Sequence, residues 1–345
     1  MSIPTGQHLA AIIPSKGSPL QLTYRPTPTP GPDELLIEVK SFAVNPVDYY
    51  MREVGFVIAS YPAVIGSDIA GVVVSAGSSV PPDAPKPGTR VTALAPSFWT
   101  KGAADYGAFQ THVLVPAENA AQLPQGTSFN EGSVFPLAVV TAWIGWYSIG
   151  VANDTVYTPA DKQAILVWGG ASSVGTAVVQ IAKLRGYTVY TTASGKHHEC
   201  LKRLGASRTF DYRDEHAVER IVKAAKEDGL TLQTAYYASG DQLKECLEVV
   251  KQLNEKGGKV ASAVPLSENP PTAEGVEVAF VAPPVDVEKR KELLHFVFVW
   301  LKEKLETGEF VPSPKIQVVE GGLASANKAL DEWKGVSGTK IVVEI

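Results

Sequence analysis

The stretch AILVWGGASSVGTAVVQIAKLRG, residues 164–186, constrains the fold more than any other part of the chain. Its first residues, 164–168, make a continuous apolar run with the length of a strand buried on both faces. Gly169, Gly170, Ala171, Ser172, Ser173, Val174 and Gly175 follow. Apolar side chains then recur at helical spacing, at Val174, Val178, Ile181 and Ala182. Strand, glycine turn and helix in that order present backbone N–H groups at a helix N-terminus, where a pyrophosphate is stabilised. Counted from Gly170 the spacing is G-x-x-x-x-G rather than G-x-G-x-x-G, so the flanking strand and helix carry the reading. The expectation is a dinucleotide-binding chain, and with it redox chemistry.

Composition narrows the class. The chain has 345 residues, enough for two domains, and is 45% hydrophobic and 19% charged, which fits a globular protein. A net charge of −5 offers no basic surface for nucleic acid. No apolar run reaches the roughly 18 residues of a membrane span. The N-terminal residues lack a charged segment followed by an apolar one, so no secretion signal is expected. Cys200 and Cys246 are the two cysteines and do not form a C-x-x-C pair, which fits a reducing cytoplasm.

The first 125 residues read as β. Short β-rich runs stand at 35–39 (LLIEV), 69–75 (IAGVVVS), 89–95 (TRVTALA) and 108–115 (AFQTHVLV), separated by punctuators such as 26–32 (PTPTPGP) and 81–88 (PPDAPKPG). A small barrel or sandwich follows. Residues 130–149 read as a buried helix interrupted near Pro136. Strands and helices then alternate: 164–168, helix to 185; 187–192, helix 197–204; 208–212, helix 214–227; 232–238, helix 241–252; 259–264. That alternation signals a parallel sheet wound on both faces. Residues 276–281 (VEVAFV) add an edge strand, 288–305 are a helix or, at 296–301 (FVFVWL), a strand, and 340–345 a last β-run. Residues 126–285 are therefore expected to form the dinucleotide-binding domain, with 1–125 and 286–345 forming the other.

Dinucleotide sheets that prefer NAD place an acid about 20 residues beyond the glycine turn. Here that point reads Thr192-Ala193-Ser194-Gly195-Lys196-His197. Ser194 and Lys196, a donor and a cation, suit a 2′-phosphate, and Tyr212 is expected to flank the same pocket. NADPH is favoured over NADH.

The ordered parts resemble the medium-chain dehydrogenase/reductase superfamily over nearly the full length, and most of all its zinc-independent branch of quinone oxidoreductases and enoyl reductases, fungal trans-acting enoyl reductases included. The resemblance rests on Asn45-Pro46-Val47-Asp48, Gly66-Ser67-Asp68-Ile69-Ala70-Gly71, Gly107-Ala108-Phe109, Thr141-Ala142-Trp143, the turn from Gly169 to Gly175, Ser194-Gly195-Lys196, 201–206 (LKRLGA), Phe210-Asp211-Tyr212 and Ser337-Gly338-Thr339-Lys340. It implies an α/β chain, a GroES-like β-barrel catalytic domain joined to a Rossmann doubly wound parallel sheet. Zinc relatives carry a cysteine, a Gly-His-Glu motif and a structural loop of four cysteines. Here those places read Asn45-Pro46 and Gly66-Ser67-Asp68, and 95–110 hold no cysteine, so no metal is expected. His112, in a β-run, is expected to be structural or exposed, and the adjacent His197 and His198 do not rebuild a site.

The resemblance also distributes roles. Gly169, Gly170, Ser172, Ser173, Val174 and Gly175 line the pyrophosphate, and Lys340 approaches it. Ser194, Lys196 and Tyr212 meet the 2′-phosphate. Thr141, Ala238, Ser239 and Val264 lie on the nicotinamide side. Tyr50 is the candidate proton donor, at a position where many fungal relatives have lysine, and Asn45 orients substrate or cofactor or caps a turn. Trp99, Tyr106, Trp143, Trp146 and Phe298 are candidates to line an apolar acceptor pocket. Without a Lewis acid the expected acceptor is an activated one, an enone, enoyl thioester or quinone. A metal-independent ketone or alcohol dehydrogenase, an accessory reductase docked on a synthase and a non-catalytic NADPH-binding protein stay open. The expected partner is a small apolar acceptor, with neither nucleic acid nor membrane; the family adds a homodimer and a synthase partner as options.

Overall fold

The computed structural model describes residues 4–254 and 257–345. In chain order the first elements are β1 (Gln7–Ile12), β2 (Gln21–Pro26), β3 (Glu34–Ala43), α1 (Pro46–Val54), β4 (Asp68–Ala76), β5 (Arg90–Leu94), β6 (His112–Pro116), β7 (Ala120–Gln122) and α2 (Phe129–Gly132). Helix α3 (Pro136–Ser148) follows. Then come β8 (Gln163–Trp168), α4 (Ser173–Leu184), β9 (Thr188–Thr192), α5 (His198–Leu204), β10 (Ala206–Phe210), α6 (Ala217–Glu227), β11 (Thr231–Tyr237), α7 (Leu243–Leu253), β12 (Gly258–Ser262) and β13 (Val276–Phe280). The last are α8 (Val287–Glu306), β14 (Lys315–Val318), α9 (Ala326–Glu332) and β15 (Thr339–Glu344).

The chain divides into two compact units. The first comprises Met1–Leu137, Lys291–Gly308 and Lys315–Ile345, and the second Ala138–Arg290 and Glu309–Pro314. The short piece Glu309–Pro314 joins the second unit through Gln180, whose amide donates to the Val311 carbonyl at 3.1 Å and to Ser313 Oγ at 3.0 Å, both within that unit.

In the first unit the sheet order is β14-β15-β3-β4-β5-β7, with β6 on β3, and β1 and β2 pair separately. Strand β3 is ten residues long and buried along most of its length because it is paired on both sides. Its Phe42 stacks on Phe109 with ring centroids 4.4 Å apart, inside a core of Val, Ile, Leu and Ala. The return of β15 to β3 is antiparallel, Val342 facing Ala43, and this brings Lys340 into the barrel. The stretch read as wholly β also contains an α-helix, α1. Asn45-Pro46, read as an orienting residue or a turn cap, starts it: Asn45 is the N-cap, Pro46 takes the first helical position, and Asp48 Oδ2 accepts the Asn45 N–H at 2.8 Å. Gly55 ends the helix in the left-handed conformation.

In the second unit six parallel strands run β10-β9-β8-β11-β12-β13. The order reverses between β8 and β11, and ligands of such sheets bind beyond the strand ends at that reversal. Strand β8 is buried on both faces, as its uninterrupted apolar run requires. Two expected strand ends move: β10 stops at Phe210, so Tyr212 lies two residues past it, and β12 stops at Ser262, two residues before Val264. Residues 296–301 are helical. In α8 the buried positions are Leu293, Leu294, Val297, Phe298, Leu301 and Leu305, a helical stripe, while Val299 is exposed.

Candidate active site

The glycine turn sits at the reversal of strand order in the second unit. Gly169 leaves β8 with φ 82°, a conformation that L side chains rarely adopt. A Cβ on it would also lie 2.6 Å from the Ser239 carbonyl oxygen, so β8 and β11 end in contact. The turn is tied to β9: Gly169 N–H donates to Thr192 Oγ1 at 3.0 Å, and Gly170 N–H to the Thr192 carbonyl at 2.9 Å. Ser172 then caps α4, its Oγ accepting the Gly175 N–H at 3.0 Å. A Cβ on Gly175 would collide with the backbone of Gly169 and Gly170, so helix and turn pack at a distance that glycine permits. The N–H groups of Ser173 and Val174, in the first turn of a twelve-residue helix, have no intrahelical acceptor. This cradle fits a pyrophosphate, with helix dipole and N–H groups facing the same way. Ala238 and Ser239 follow β11 on the same side, the Ala238 N–H bonded to the Trp168 carbonyl at 2.9 Å.

Ser194 and exposed Lys196 open the short 3-10 turn after β9. The Gly195 N–H donates to Asp211 Oδ2 at 3.3 Å, which brings this turn beside the segment that carries Tyr212. Arg213 clasps Asp211 through two nitrogens and holds its carboxyl well below the usual carboxylate range. The Arg213 guanidinium also lies over the Tyr212 ring, 5.9 Å from its centroid. In the sequence Asp211 is only a motif position beside Tyr212, and Arg213 carries no role there; its place next to Tyr212 is the available signal. Further along the unit, Thr141 lies on α3, and its carbonyl accepts the hydroxyl of fully buried Tyr236 at 2.7 Å. Burial pushes the Tyr236 phenol up. The Val264 carbonyl accepts Ser262 Oγ at 2.7 Å.

The first unit holds a buried polar cluster. Lys340 Nζ donates to Asn45 Oδ1 at 2.5 Å and pairs with Asp68 Oδ2 at 3.0 Å. Asn45 Nδ2 donates to Asp68 Oδ2 at 2.9 Å and lies 3.5 Å from the Ala43 carbonyl. Asp68 Oδ1 accepts the Leu137 N–H, in the first turn of α3, at 2.6 Å. Asp48 is also buried; its carboxyl is pushed up to about 7, chiefly by burial and against the pull of the Asn45 N–H. The ammonium of Lys340, expected at the pyrophosphate, is thus held inside the first unit by Asn45 and Asp68. Of the two roles expected of Asn45, orienting or capping, the structure shows the cap, and both ends of its amide are engaged within the protein. Asp68 was quoted only as a motif position, and nothing in the sequence pairs it with a lysine 272 positions on.

Tyr50 is 51% exposed on α1. Its ring meets Tyr49 edge-on with centroids 5.7 Å apart and Trp333 at 6.5 Å, and Lys334 Nζ stands 4.0 Å from the Tyr49 centroid. Trp333 was not foreseen. The aromatic acceptor box needs correction. Trp143 and Trp146 are fully buried in the second unit, with the Arg185 guanidinium 5.1 and 4.9 Å from their centroids, so they are core. Phe298 is buried on α8, and Tyr106 donates its hydroxyl to Glu34 Oε1 at 2.9 Å. Trp99 is partly exposed. His112 stands on β6 and tilts against His8, ring centroids 5.8 Å apart; burial lowers the pKa of both imidazoles. His198 faces the Ala193 carbonyl at 2.9 Å, and burial lowers the His197 imidazole.

Two family models match the chain: the alcohol dehydrogenase GroES-like domain over residues 31–125, and the zinc-binding dehydrogenase domain over 173–270. Among curated relatives, trans-enoyl reductase tndF of Aspergillus flavipes is 48% identical over 343 residues, 98% of this chain and 99% of that protein. Trans-enoyl reductase tazE of Aspergillus terreus is 49% identical over 285 residues, 82% of this chain and 94% of that protein. Among solved structures, an alcohol dehydrogenase superfamily protein from Novosphingobium aromaticivorans superposes with a TM-score of 0.78 at 24% identity, covering 98% of this chain and 99% of that one. A quinone oxidoreductase from Pseudomonas syringae gives 0.74 at 21%, over 98% and 100%.

The second model's description names zinc, and the donor set here does not fit that ion. Among the described residues no three His, Cys, Asp or Glu side chains gather where a metal could be held. The buried carboxylate next to Ser67, that of Asp68, is already engaged by an ammonium, an amide and a backbone N–H. Fold, glycine turn and end-to-end relatives agree: the chain is a member of the medium-chain dehydrogenase/reductase family, an oxidoreductase of the branch that includes the fungal trans-enoyl reductases.

Proposed function

We propose that this oxidoreductase uses NADPH, works without zinc, and reduces a carbon–carbon double bond conjugated to a carbonyl, as in an enone or enoyl thioester; quinones belong to the same electronic class. The observation that carries the reading is the glycine turn between β8 and α4 at the reversal of strand order. The names of tndF and tazE support the choice of acceptor.

Ser173 and Val174 would hold the pyrophosphate through backbone N–H groups, with Gly169, Gly170, Ser172 and Gly175 shaping the cradle. Ser194, Lys196 and Tyr212 would meet the 2′-phosphate, and Arg213, which now clasps Asp211, would add a second cation by exchanging that partner for it. Thr141, Ala238, Ser239 and Val264 would lie toward the nicotinamide. When bound, the reduced nicotinamide supplies a hydride to the electrophilic carbon. The Tyr50 hydroxyl would donate a hydrogen bond to the acceptor carbonyl as negative charge builds on its oxygen. A synthase that presents the acceptor on a carrier is the partner this reading favours.

The test is NADPH consumption assayed with enoyl thioesters, 2-alkenals, quinones and ketones, the thioesters both free and carrier-bound. Turnover of enoyl thioesters above ketones supports the reading, and turnover only of the carrier-bound form assigns an accessory role on a synthase. Turnover of ketones alone assigns a metal-independent ketone dehydrogenase. Tight NADPH binding with no turnover assigns a binding protein.

A further inference from the structure

Lys340, Asn45, Asp68 and the Leu137 N–H form a closed set in the first unit. The side chains of Lys340 and Asp68 are 3% and 0% exposed. The amide of Asn45 turns its oxygen to the ammonium and its nitrogen to the carboxylate, so its orientation is fixed by charge. The second carboxylate oxygen receives the Leu137 N–H, where a helix N-terminus favours negative charge. One carboxylate therefore fixes two helix origins: that of α1, through its N-cap Asn45, and that of α3. Removing either charge leaves the other buried and uncompensated, which is more costly than removing both.

We propose that Lys340 is a positioning residue, the resident counter-ion of Asp68, which holds the start of α1 and so the placement of Tyr50. Tyr50 stands five positions after Asn45, little more than one helical turn, so a shift of the N-cap passes directly to the hydroxyl. The proposal draws on the reductase reading for its kinetic arm alone; its thermal arm needs no assigned reaction. A direct contact of the same ammonium with a cofactor phosphate is the rival role, and the two differ in what cancels. In the double variant Asp68→Asn/Lys340→Met, the new amide oxygen accepts the Leu137 N–H. Its nitrogen donates to Asn45 Oδ1 once that amide turns over, so one Asn45 N–H loses its carboxylate acceptor but no buried charge is left unpaired. With Lys340 present, Asp68→Asn turns that nitrogen toward an ammonium.

The experiment compares wild type, Lys340→Met, Asp68→Asn and the double variant by thermal midpoint, NADPH dissociation constant, and kcat and KM for enoyl thioester reduction. The expected result is that each single substitution lowers the midpoint and cuts kcat at least ~10-fold, with NADPH affinity and acceptor KM within about 3-fold. The double variant is expected to recover most of both losses, the signature of two coupled sites. If neither single variant folds, recovery of a folded double variant supports the pairing, and its failure overturns it. NADPH affinity weakened ~10-fold or more in both Lys340→Met and the double variant overturns the proposal in favour of a phosphate contact. Additive losses in the double variant overturn it as well. Should wild type reduce no acceptor, the reductase reading fails by itself, and recovery or loss of the midpoint in the double variant decides the proposal.

Discussion

The carboxyl of Asp48 accepts the backbone N–H of Asn45 at 2.8 Å, while its other oxygen is buried with no hydrogen-bond partner. Burial pushes this carboxyl up to about 7, helped by the nearby charge of Asp68. The folded state therefore holds the proton more tightly than the unfolded chain does. The resulting stability is complete below the unfolded carboxyl's value of 3.8 and is lost as pH rises through about 7. Asp48→Asn keeps an oxygen for the Asn45 N–H and removes the titration. Its thermal midpoint is expected to gain on wild type as pH rises from 5 to 8, by on the order of 5 °C. Parallel curves over that range would contradict the assignment.

Gly175→Ala places a methyl group against the backbone of Gly169 and Gly170. The turn must open, and the N–H groups of Ser173 and Val174 move away from the pyrophosphate. NADPH affinity is expected to fall at least ~10-fold, with a thermal loss of about 1–3 kcal/mol. Fluorescence titration with NADPH beside thermal melts checks both.

Lys196→Ala removes an exposed cation from the 3-10 turn beside Asp211 and Tyr212. Its dissociation constant for NADPH is expected to rise ~10-fold, and that for NADH by less than about 2-fold, because only the former carries the 2′-phosphate. Equal changes in the two titrations would remove Lys196 from that subsite.

Much of this was open to sequence reading, and the reasons are local. Residues 164–175 announce themselves because strand, turn and helix are contiguous and each needs a distinct residue type. Alternating strands and helices between 163 and 280 likewise declare a parallel sheet. What stayed hidden is non-local. Lys340 and Asp68 meet only because β15 returns to β3, and no local pattern encodes that register. Helix α1 was hidden for another reason: nine residues with one proline at the start look like a turn unless the Asn45–Asp48 bond is seen. Trp143 and Trp146, offered as pocket candidates against the commoner core reading, are settled as core by their burial. The run at 296–301 was ambiguous because every position is apolar; burial at helical spacing resolves it.

Tyr50→Phe deletes one hydroxyl from a half-exposed ring whose neighbours, Tyr49 and Trp333, contact it through ring faces and edges. The packing survives, so NADPH affinity and thermal midpoint are expected to match wild type. Turnover of an enoyl thioester is expected to fall ~10- to 100-fold, the range of a lost proton or hydrogen-bond donor. Unchanged turnover in steady-state assays would assign the donor elsewhere.

The most direct test of metal-free hydride transfer is made on a single sample. The purified chain is dialysed against a strong chelator, its zinc content is measured, and its rate of NADPH-dependent enoyl thioester reduction is compared with that of the untreated protein. The account predicts far less than one zinc per chain and an unchanged rate. One zinc per chain before dialysis, with activity lost on chelation and restored by added zinc, would contradict it.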